Sequence, residues 1–147
     1  MTERLHAPFK LAPDAYKAMS ALEAAIKASG LEQSLIELVK MRASQINHCA
    51  FCIHMHATDA RKEGESEMRL YMLDAWRESS LYTPRERGAL AWTESLTLIS
   101  QTEAPDADYE AARKEFNDAE LVNLTFLIGA INTWNRLAIG FRLPHPK

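Results

Sequence analysis

Helix starts and stops recur along this chain, whereas the alternating pattern of a β-strand is almost absent. Thr83-Pro84-Arg85-Glu86 combines an N-cap, a proline at the first helical position and a glutamate at the third. Asn117-Asp118-Ala119-Glu120 is a second capping box, and Gly30 and Gly64 are natural helix stops. These signals predict an all-α fold of about six to seven helices.

Between these signals, apolar residues recur three and four positions apart, as they do in amphipathic helices. The predicted helices cover about residues 13–29, 32–46, 48–62, 66–77, 83–100, 106–116 and 118–139. The last helix carries apolar side chains on two faces: Leu121, Leu124, Ile128, Ile131 and Trp134 on one, and Val122, Phe126 and Ala130 on the other. Apolar residues on two faces need two partners. One would be the core of the domain and the other could be a neighbouring subunit; the alternative is a central core helix in a monomer.

Composition and charge limit the class of protein. With 147 residues and 47% hydrophobic content, we expect a single domain over residues 1–147 with an ordinary core. The net charge of −3, with scattered Lys and Arg, disfavours nucleic acid and anionic membranes as partners. Residues 1–8 lack an apolar signal region, and no stretch approaches the roughly 20 apolar residues of a membrane span. We therefore expect a cytoplasmic protein, in which a lone Cys pair is more often catalytic or metal-binding than structural.

The chain has two cysteines, Cys49 and Cys52, and they form one Cys-x-x-Cys pair with His56 one turn further on. On a helix, this spacing stacks two thiols and an imidazole in one column. Asn47 is a good N-cap, which would place both thiols in the first turns of a helix. Free backbone N–H groups and the macrodipole favour the reactive thiolate there. The pair therefore predicts thiol redox chemistry, although two small buried hydrophobic residues are the plainer alternative.

Glu37 lies on the helix before the cysteines and is a candidate partner for His56. It could orient and polarise the imidazole, provided that the two helices pack with those faces together. Taken alone, Ser34-x-x-Glu37 matches a capping box, which favours a structural role at the start of the helix. His56 alone could equally be a hydrogen-bonded surface histidine, as we expect of His48 and His54.

Two other functions fit the cysteine pair. Cys49, Cys52 and His56, with His48 or His54 as a fourth ligand, could bind zinc, although ligands on a single helix cannot easily surround an ion. The pair could also serve a redox sensor or a thiol-disulfide exchange module that turns over peroxide poorly. We predict no cofactor site. Five Met and aromatic residues are most simply core or substrate-pocket wall: Met68, Tyr71, Met72, Trp76 and Trp92.

The run from Glu37 to His56 resembles the alkylhydroperoxidase D (AhpD)-like branch of the carboxymuconolactone decarboxylase superfamily. The spacing Glu-x11-Cys-x2-Cys-x3-His is met in full, and Gly64 and the segments 83–87 and 132–136 extend the resemblance over about residues 9–143. The resemblance implies an all-α fold, oligomers built on trimers and often hexameric, and an enzyme that reduces hydroperoxides. The decarboxylase branch lacks the Cys pair, so we do not expect decarboxylation.

Roles for the site residues follow from this resemblance. Cys52 would attack the terminal peroxide oxygen, Cys49 would resolve the sulfenic acid to a disulfide, and His56 and Glu37 would form the proton relay. The implied electron donor is a dihydrolipoyl group, or another dithiol, on a partner protein. Phe51 stands where well-studied members carry a histidine, so an auxiliary polar contact is lost and we expect weaker peroxidase activity.

Overall fold

In the computed structural model, which describes residues 2–146, the chain forms nine α-helices and one 3₁₀ helix and no β-strand. The all-α prediction is confirmed. The elements are α1 (Pro8–Leu11), α2 (Pro13–Lys27), α3 (Gln33–Ile46), α4 (Ala50–Lys62), α5 (Glu67–Tyr71), the 3₁₀ helix (Leu73–Ala75), α6 (Pro84–Thr97), α7 (Ile99–Thr102), α8 (Asp106–Arg113) and α9 (Asp118–Phe141). Within the described range, no helix is both long enough and apolar enough to cross a lipid bilayer.

The helix punctuation read from the sequence is confirmed at both capping boxes. Thr83 Oγ1 accepts a hydrogen bond from the Glu86 N–H at 3.2 Å, and the Glu86 carboxylate accepts one from the Thr83 N–H at 2.8 Å. Asn117 and Glu120 cap α9 in the same reciprocal way, with both distances 2.9 Å. These contacts satisfy N–H groups that a helix start otherwise leaves without partners.

The predicted helix over residues 66–77 is divided into α5 and the 3₁₀ helix. Leu70, Leu73 and Trp76 are buried, and their spacing of three matches the three residues per turn of a 3₁₀ helix. Met68 and Tyr71 are 56% and 70% exposed. The expectation that these two residues could belong to the core is therefore wrong; Tyr71 instead lines an open surface groove with residues of α3 and α4.

The predicted helix over residues 83–100 also ends early, because α6 stops at Thr97. The Thr102 hydroxyl donates to the Ser95 carbonyl at 2.7 Å, which gives a carbonyl of the last turn of α6 a partner. The short helix α7 follows this break.

Buried apolar side chains form two main clusters, one on each side of α3. The first lies among α2, α3, α6, α8 and α9 and includes Trp92, and the second lies among α3 to α6 and includes Trp76. Eight of the 14 residues of α3 are buried as a result. This central position places one face of α3 against α4, where the cysteine pair lies.

Helix α9 buries one face and exposes part of the other. Leu121, Leu124, Ile128 and Ile131 are buried in the core, whereas Val122 and Phe126 are 55% and 56% exposed. Ala130, which the sequence predicts on the second face, is only 2% exposed, because this part of the helix still packs on the core. A subunit contact on the exposed part of α9 stays a prediction.

A partly buried carboxylate joins α6 to α3 and to the residues that follow the 3₁₀ helix. Glu94 accepts hydrogen bonds from Trp76 Nε1 at 2.7 Å, Arg42 Nε at 2.9 Å and Arg77 Nη2 at 2.7 Å. Burial alone would raise the pKa of Glu94, but these hydrogen bonds and the charge of Arg42 outweigh burial and lower that pKa. The ionised form of Glu94 therefore holds α3 and the residues after the 3₁₀ helix against α6.

Candidate active site

The turn between α3 and α4 differs from the prediction. Asn47 ends α3, His48 adopts a left-handed conformation with φ of 58°, and Cys49 is the N-cap of α4. The predicted helix start at His48 with Asn47 as N-cap is therefore wrong, and α4 begins at Ala50. Cys49 Sγ accepts a hydrogen bond from the Cys52 N–H at 3.3 Å. The sulfur of Cys49 thus occupies the position of a capping oxygen, where a helix start favours negative charge.

The side chain of Asn47 anchors this turn to α9. Its Nδ2 donates to the Oδ1 atoms of Asn132 and Asn135, at 2.9 Å each. Asn135 is fully buried and donates to Ser44 Oγ at 3.0 Å, while the Ser44 carbonyl accepts from the Cys49 N–H at 2.9 Å. A chain of buried and partly buried amide contacts therefore fixes the backbone that presents Cys49.

Cys49 and Cys52 are joined in a disulfide with their Cα atoms 5.3 Å apart, within the usual range for a disulfide. Both residues are only 1% exposed. Of the two, Cys52 is the one whose side chain lines a cavity of about 380 Å³. A small reagent in that cavity would meet Cys52 first.

Glu37 and His56 meet across α3 and α4, as the sequence hypothesis required. Glu37 Oε2 lies 3.0 Å from His56 Nδ1, and Glu37 Oε1 accepts from Gln33 Nε2 at 2.9 Å. Glu37 and His56 are 6% and 5% exposed. The capping-box interpretation of Glu37 is wrong, because α3 begins at Gln33, which places Ser34 inside the helix and makes Glu32 the N-cap.

The contact between Glu37 and His56 can leave one imidazole nitrogen free to accept a proton. A hydrogen on His56 Nδ1 that points at the Glu37 carboxylate leaves Nε2 with a lone pair that can accept a proton. Gln33 holds the second carboxylate oxygen, which restricts rotation of the Glu37 side chain. His56 lies one turn after Cys52 on α4, and both line the same cavity. Candidates for a nucleophile, a base and a group that orients the base therefore line one cavity.

Similarity to known proteins extends over most of the chain. Residues 13–95 match the model of the carboxymuconolactone decarboxylase family. The uncharacterized protein YdfG of Bacillus subtilis (strain 168) is 43% identical over 132 residues, which are 90% of each chain. The chain belongs to the carboxymuconolactone decarboxylase family.

Solved structures agree with this assignment and identify the chain as an AhpD-like member. ATU0492 from Agrobacterium tumefaciens, a protein of unknown function described as a candidate antioxidant defence protein AhpD, has a TM-score of 0.95 and 47% identity over 99% of both chains. An uncharacterized peroxidase-related protein from Ralstonia eutropha JMP134, with an alkylhydroperoxidase AhpD core, has a TM-score of 0.82 over 100% of this chain and 78% of its own. Its identity of 20% shows only the shared fold.

This AhpD-like protein has further cavity residues that the local sequence pattern did not reveal. Phe9, Tyr16 and Trp134 contribute aromatic side chains, and Glu23 and Lys40 contribute an ion pair. Lys40 lies one turn after Glu37 on α3, a spacing that the sequence displays. The others lie on α1, α2 and α9, far from the cysteines in sequence, so only the packing of these helices brings them to the site.

The remaining histidines near the cysteine pair lie outside the cavity. His48 and His54 are exposed, as expected of surface histidines. Among residues 2–146, no group of three or more His, Cys, Asp or Glu side chains is arranged to hold a metal ion. Phe51 is half-buried, lines the cavity and packs with Leu143 against the two cysteines.

Proposed function

We propose that this protein is a thiol-dependent peroxidase, which reduces hydroperoxides through a dithiol/disulfide cycle of Cys49 and Cys52. The observation that carries this proposal is the 3.0 Å contact between Glu37 and His56 beside a cavity that Cys52 lines. Membership of the AhpD-like branch and the peroxidase-related descriptions of similar proteins give further support.

The first step consumes the hydroperoxide at Cys52. His56 Nε2 takes the proton of the thiol, and the Cys52 thiolate attacks the terminal peroxide oxygen. The O–O bond breaks, and the leaving alkoxide takes the proton back from His56. The products are an alcohol and a sulfenic acid on Cys52. Glu37 stabilises the imidazolium that exists between the two proton transfers.

The second step closes the disulfide. The Cys49 thiolate attacks the sulfenic sulfur of Cys52, the S–O bond breaks, and the departing oxygen leaves as water. The Cys52 N–H at the start of α4 favours this thiolate, because it points at Cys49 Sγ. In total, two thiols and one hydroperoxide give one disulfide, one alcohol and one water.

A dithiol must then reduce the disulfide by thiol-disulfide exchange. Because each cysteine is only 1% exposed, the surface of a globular partner cannot reach the sulfurs directly. A slender dithiol on a flexible arm can enter the cavity, and a dihydrolipoyl group on a partner protein has that form. Phe51 has no proton to give, so the relay of this proposal is built on Glu37 and His56, with Cys49 able to pass the proton on. We place this cycle in the cytoplasm, where thiols are kept reduced.

A thiol titration tests this function. The fully reduced protein receives one equivalent of hydroperoxide, and free thiols and bound metal are measured on the same sample. We expect both thiols to be lost together, with one equivalent of alcohol formed and no metal involved. Retention of both thiols under peroxide, with rapid oxidation by a disulfide reagent, would instead indicate an exchange module. Bound zinc that shields the thiols would indicate a metal site.

A further inference from the structure

Three aromatic rings form one wall of the cavity that contains Cys52. The ring centroids of Phe9 and Tyr16 are 5.1 Å apart, and the Trp134 ring lies 5.8 Å and 6.0 Å from them at steep interplanar angles of 79° and 72°. We call Phe9, Tyr16 and Trp134 the aromatic wall. All three line the cavity together with Cys52 and His56.

An ion pair fixes the orientation of this wall. Trp134 Nε1 donates to Glu23 Oε1 at 2.9 Å, and Lys40 Nζ donates to Glu23 Oε2 at 2.5 Å. The Lys40 side chain is 12% exposed, so water competes little for this contact. Because Glu23, Lys40 and Trp134 lie on three different helices, their contacts hold the indole ring in place before any ligand enters. A rigid wall of this kind binds without losing its own conformational freedom.

We propose that the aromatic wall binds an aryl group of the substrate, so that the enzyme prefers hydroperoxides with an aromatic ring on the peroxide-bearing carbon. A further ring can add edge-to-face or offset contacts to such a cluster, whereas a methyl group or hydrogen peroxide cannot. The volume of about 380 Å³ lies near the lower end of the range for small-molecule sites, which favours a compact aryl hydroperoxide over a long acyl chain. This inference rests on the proposed peroxidase function.

Single-turnover oxidation of the reduced protein tests the inference without a reductant. Cumene hydroperoxide and tert-butyl hydroperoxide form a matched pair, because they differ by a phenyl group in place of a methyl group on the same tertiary carbon. Each rate constant is divided by that of a free small-molecule dithiol, which removes differences in intrinsic reactivity. We expect the corrected cumene to tert-butyl ratio to be about 10 or more, since an aromatic contact contributes about 2- to 13-fold and apolar burial adds to it.

Variants of the aromatic wall should lower this ratio. Tyr16→Leu and Trp134→Leu should each reduce it about 3- to 10-fold, with the corrected rate for cumene hydroperoxide falling most. Tyr71→Leu is the matched control, because Tyr71 is 70% exposed on α5 and lies outside the cavity; it should leave the ratio unchanged. If Trp134→Leu does not fold, Tyr16→Leu carries the test, since Tyr16 is 46% exposed.

Three results would overturn the inference. The first is a corrected cumene to tert-butyl ratio near one in the wild type, and the second is a loss of rate in the wall variants that is equal for both hydroperoxides. The third is a fall of the ratio in Tyr71→Leu as large as the fall in the wall variants. If no hydroperoxide oxidises the protein, the proposed peroxidase function fails. The binding of an aryl group by the aromatic wall is then tested separately, by a binding experiment. NMR titration with 2-phenyl-2-propanol, the alcohol formed from cumene hydroperoxide, should show binding to the wild type that is weakened in Trp134→Leu. Absence of wild-type binding would reject the wall as an aryl site.

Discussion

Replacing Glu37 by Gln exchanges one carboxylate oxygen of the proposed relay for an N–H₂ group. This substitution should move the hydrogen of the His56 ring from Nδ1 to Nε2. The carboxylate accepts from both Gln33 and His56, at 2.9 Å and 3.0 Å. In Glu37→Gln, the amide oxygen can still accept from Gln33, which turns the amide N–H₂ towards His56 Nδ1. With Gln33 donating as it does here, Nδ1 then acts as acceptor, and the hydrogen moves to Nε2. An imidazole with a hydrogen on Nε2 cannot take the proton of a thiol at that atom.

The two expected effects of this substitution differ greatly in size. Loss of general acid-base assistance should slow oxidation by hydroperoxide about 10²- to 10⁴-fold. A hydrogen bond to a charged group contributes about 1.5–3 kcal/mol and a neutral one about 0.5–1.5 kcal/mol, so Glu37→Gln should lower the free energy of unfolding by only about 1 kcal/mol. The protein therefore stays folded while its reaction nearly stops.

Single-turnover kinetics and denaturant unfolding measure these two effects on the same samples. Glu32→Gln is the control, because Glu32 lies at the start of the same helix with a half-exposed side chain and pairs with Arg85. It should leave the oxidation rate unchanged. Combining Glu37→Gln with His56→Ala should cost little more than His56→Ala alone, because groups that act as one unit are strongly non-additive. A Glu37→Gln protein that reacts at the wild-type rate would refute the relay.

Three further predictions concern stability and assembly. His48→Gly should raise the free energy of unfolding by about 0.5–1 kcal/mol in urea titration, because glycine adopts the φ of 58° freely and His48 is exposed; a loss would contradict this. The folded pKa of Glu94 lies below its unfolded value of about 4.3, so its stabilisation is complete above that pH and is lost as the pH falls through the folded pKa. Glu94→Gln should therefore flatten the fall in Tm between pH 5 and pH 3, and an unchanged slope would contradict this. Light scattering should show a trimer or a multiple of it, and Phe126→Asp should give smaller species; a wild-type monomer at every concentration would exclude this assembly.

Local signals in the sequence were sufficient to predict a helix start where side chains of the first turn form the cap. The capping boxes at Thr83 and Asn117 are satisfied within one turn, so the start of α6 and of α9 could be read directly. The start of α4 depends instead on a left-handed residue and on a sulfur atom as the cap. Asn47, a good N-cap by type, is held by Asn132 and Asn135 on a distant helix, and this long-range contact overrides its local preference.

The candidate site was predictable where the spacing within α3 and α4 determines it. Glu37, Cys52 and His56 lie on adjacent faces of two consecutive helices, and the short connection between them makes these helices neighbours. The aromatic wall was not predictable in this way, because Phe9 and Trp134 come from opposite ends of the chain. Their contact depends on how α1 and α9 pack, which no local periodicity records.

Mass spectrometry of two serine variants tests most directly the claim that Cys52 attacks the peroxide. Each reduced variant receives one equivalent of hydroperoxide, and a sulfenic-acid trap records which thiol has reacted. We predict a trapped sulfenic acid on Cys52 in Cys49→Ser, and no comparable oxidation of Cys49 in Cys52→Ser, because Cys52 lines the cavity. Rapid oxidation of Cys49 in Cys52→Ser, with Cys49→Ser inert, would contradict this assignment of roles.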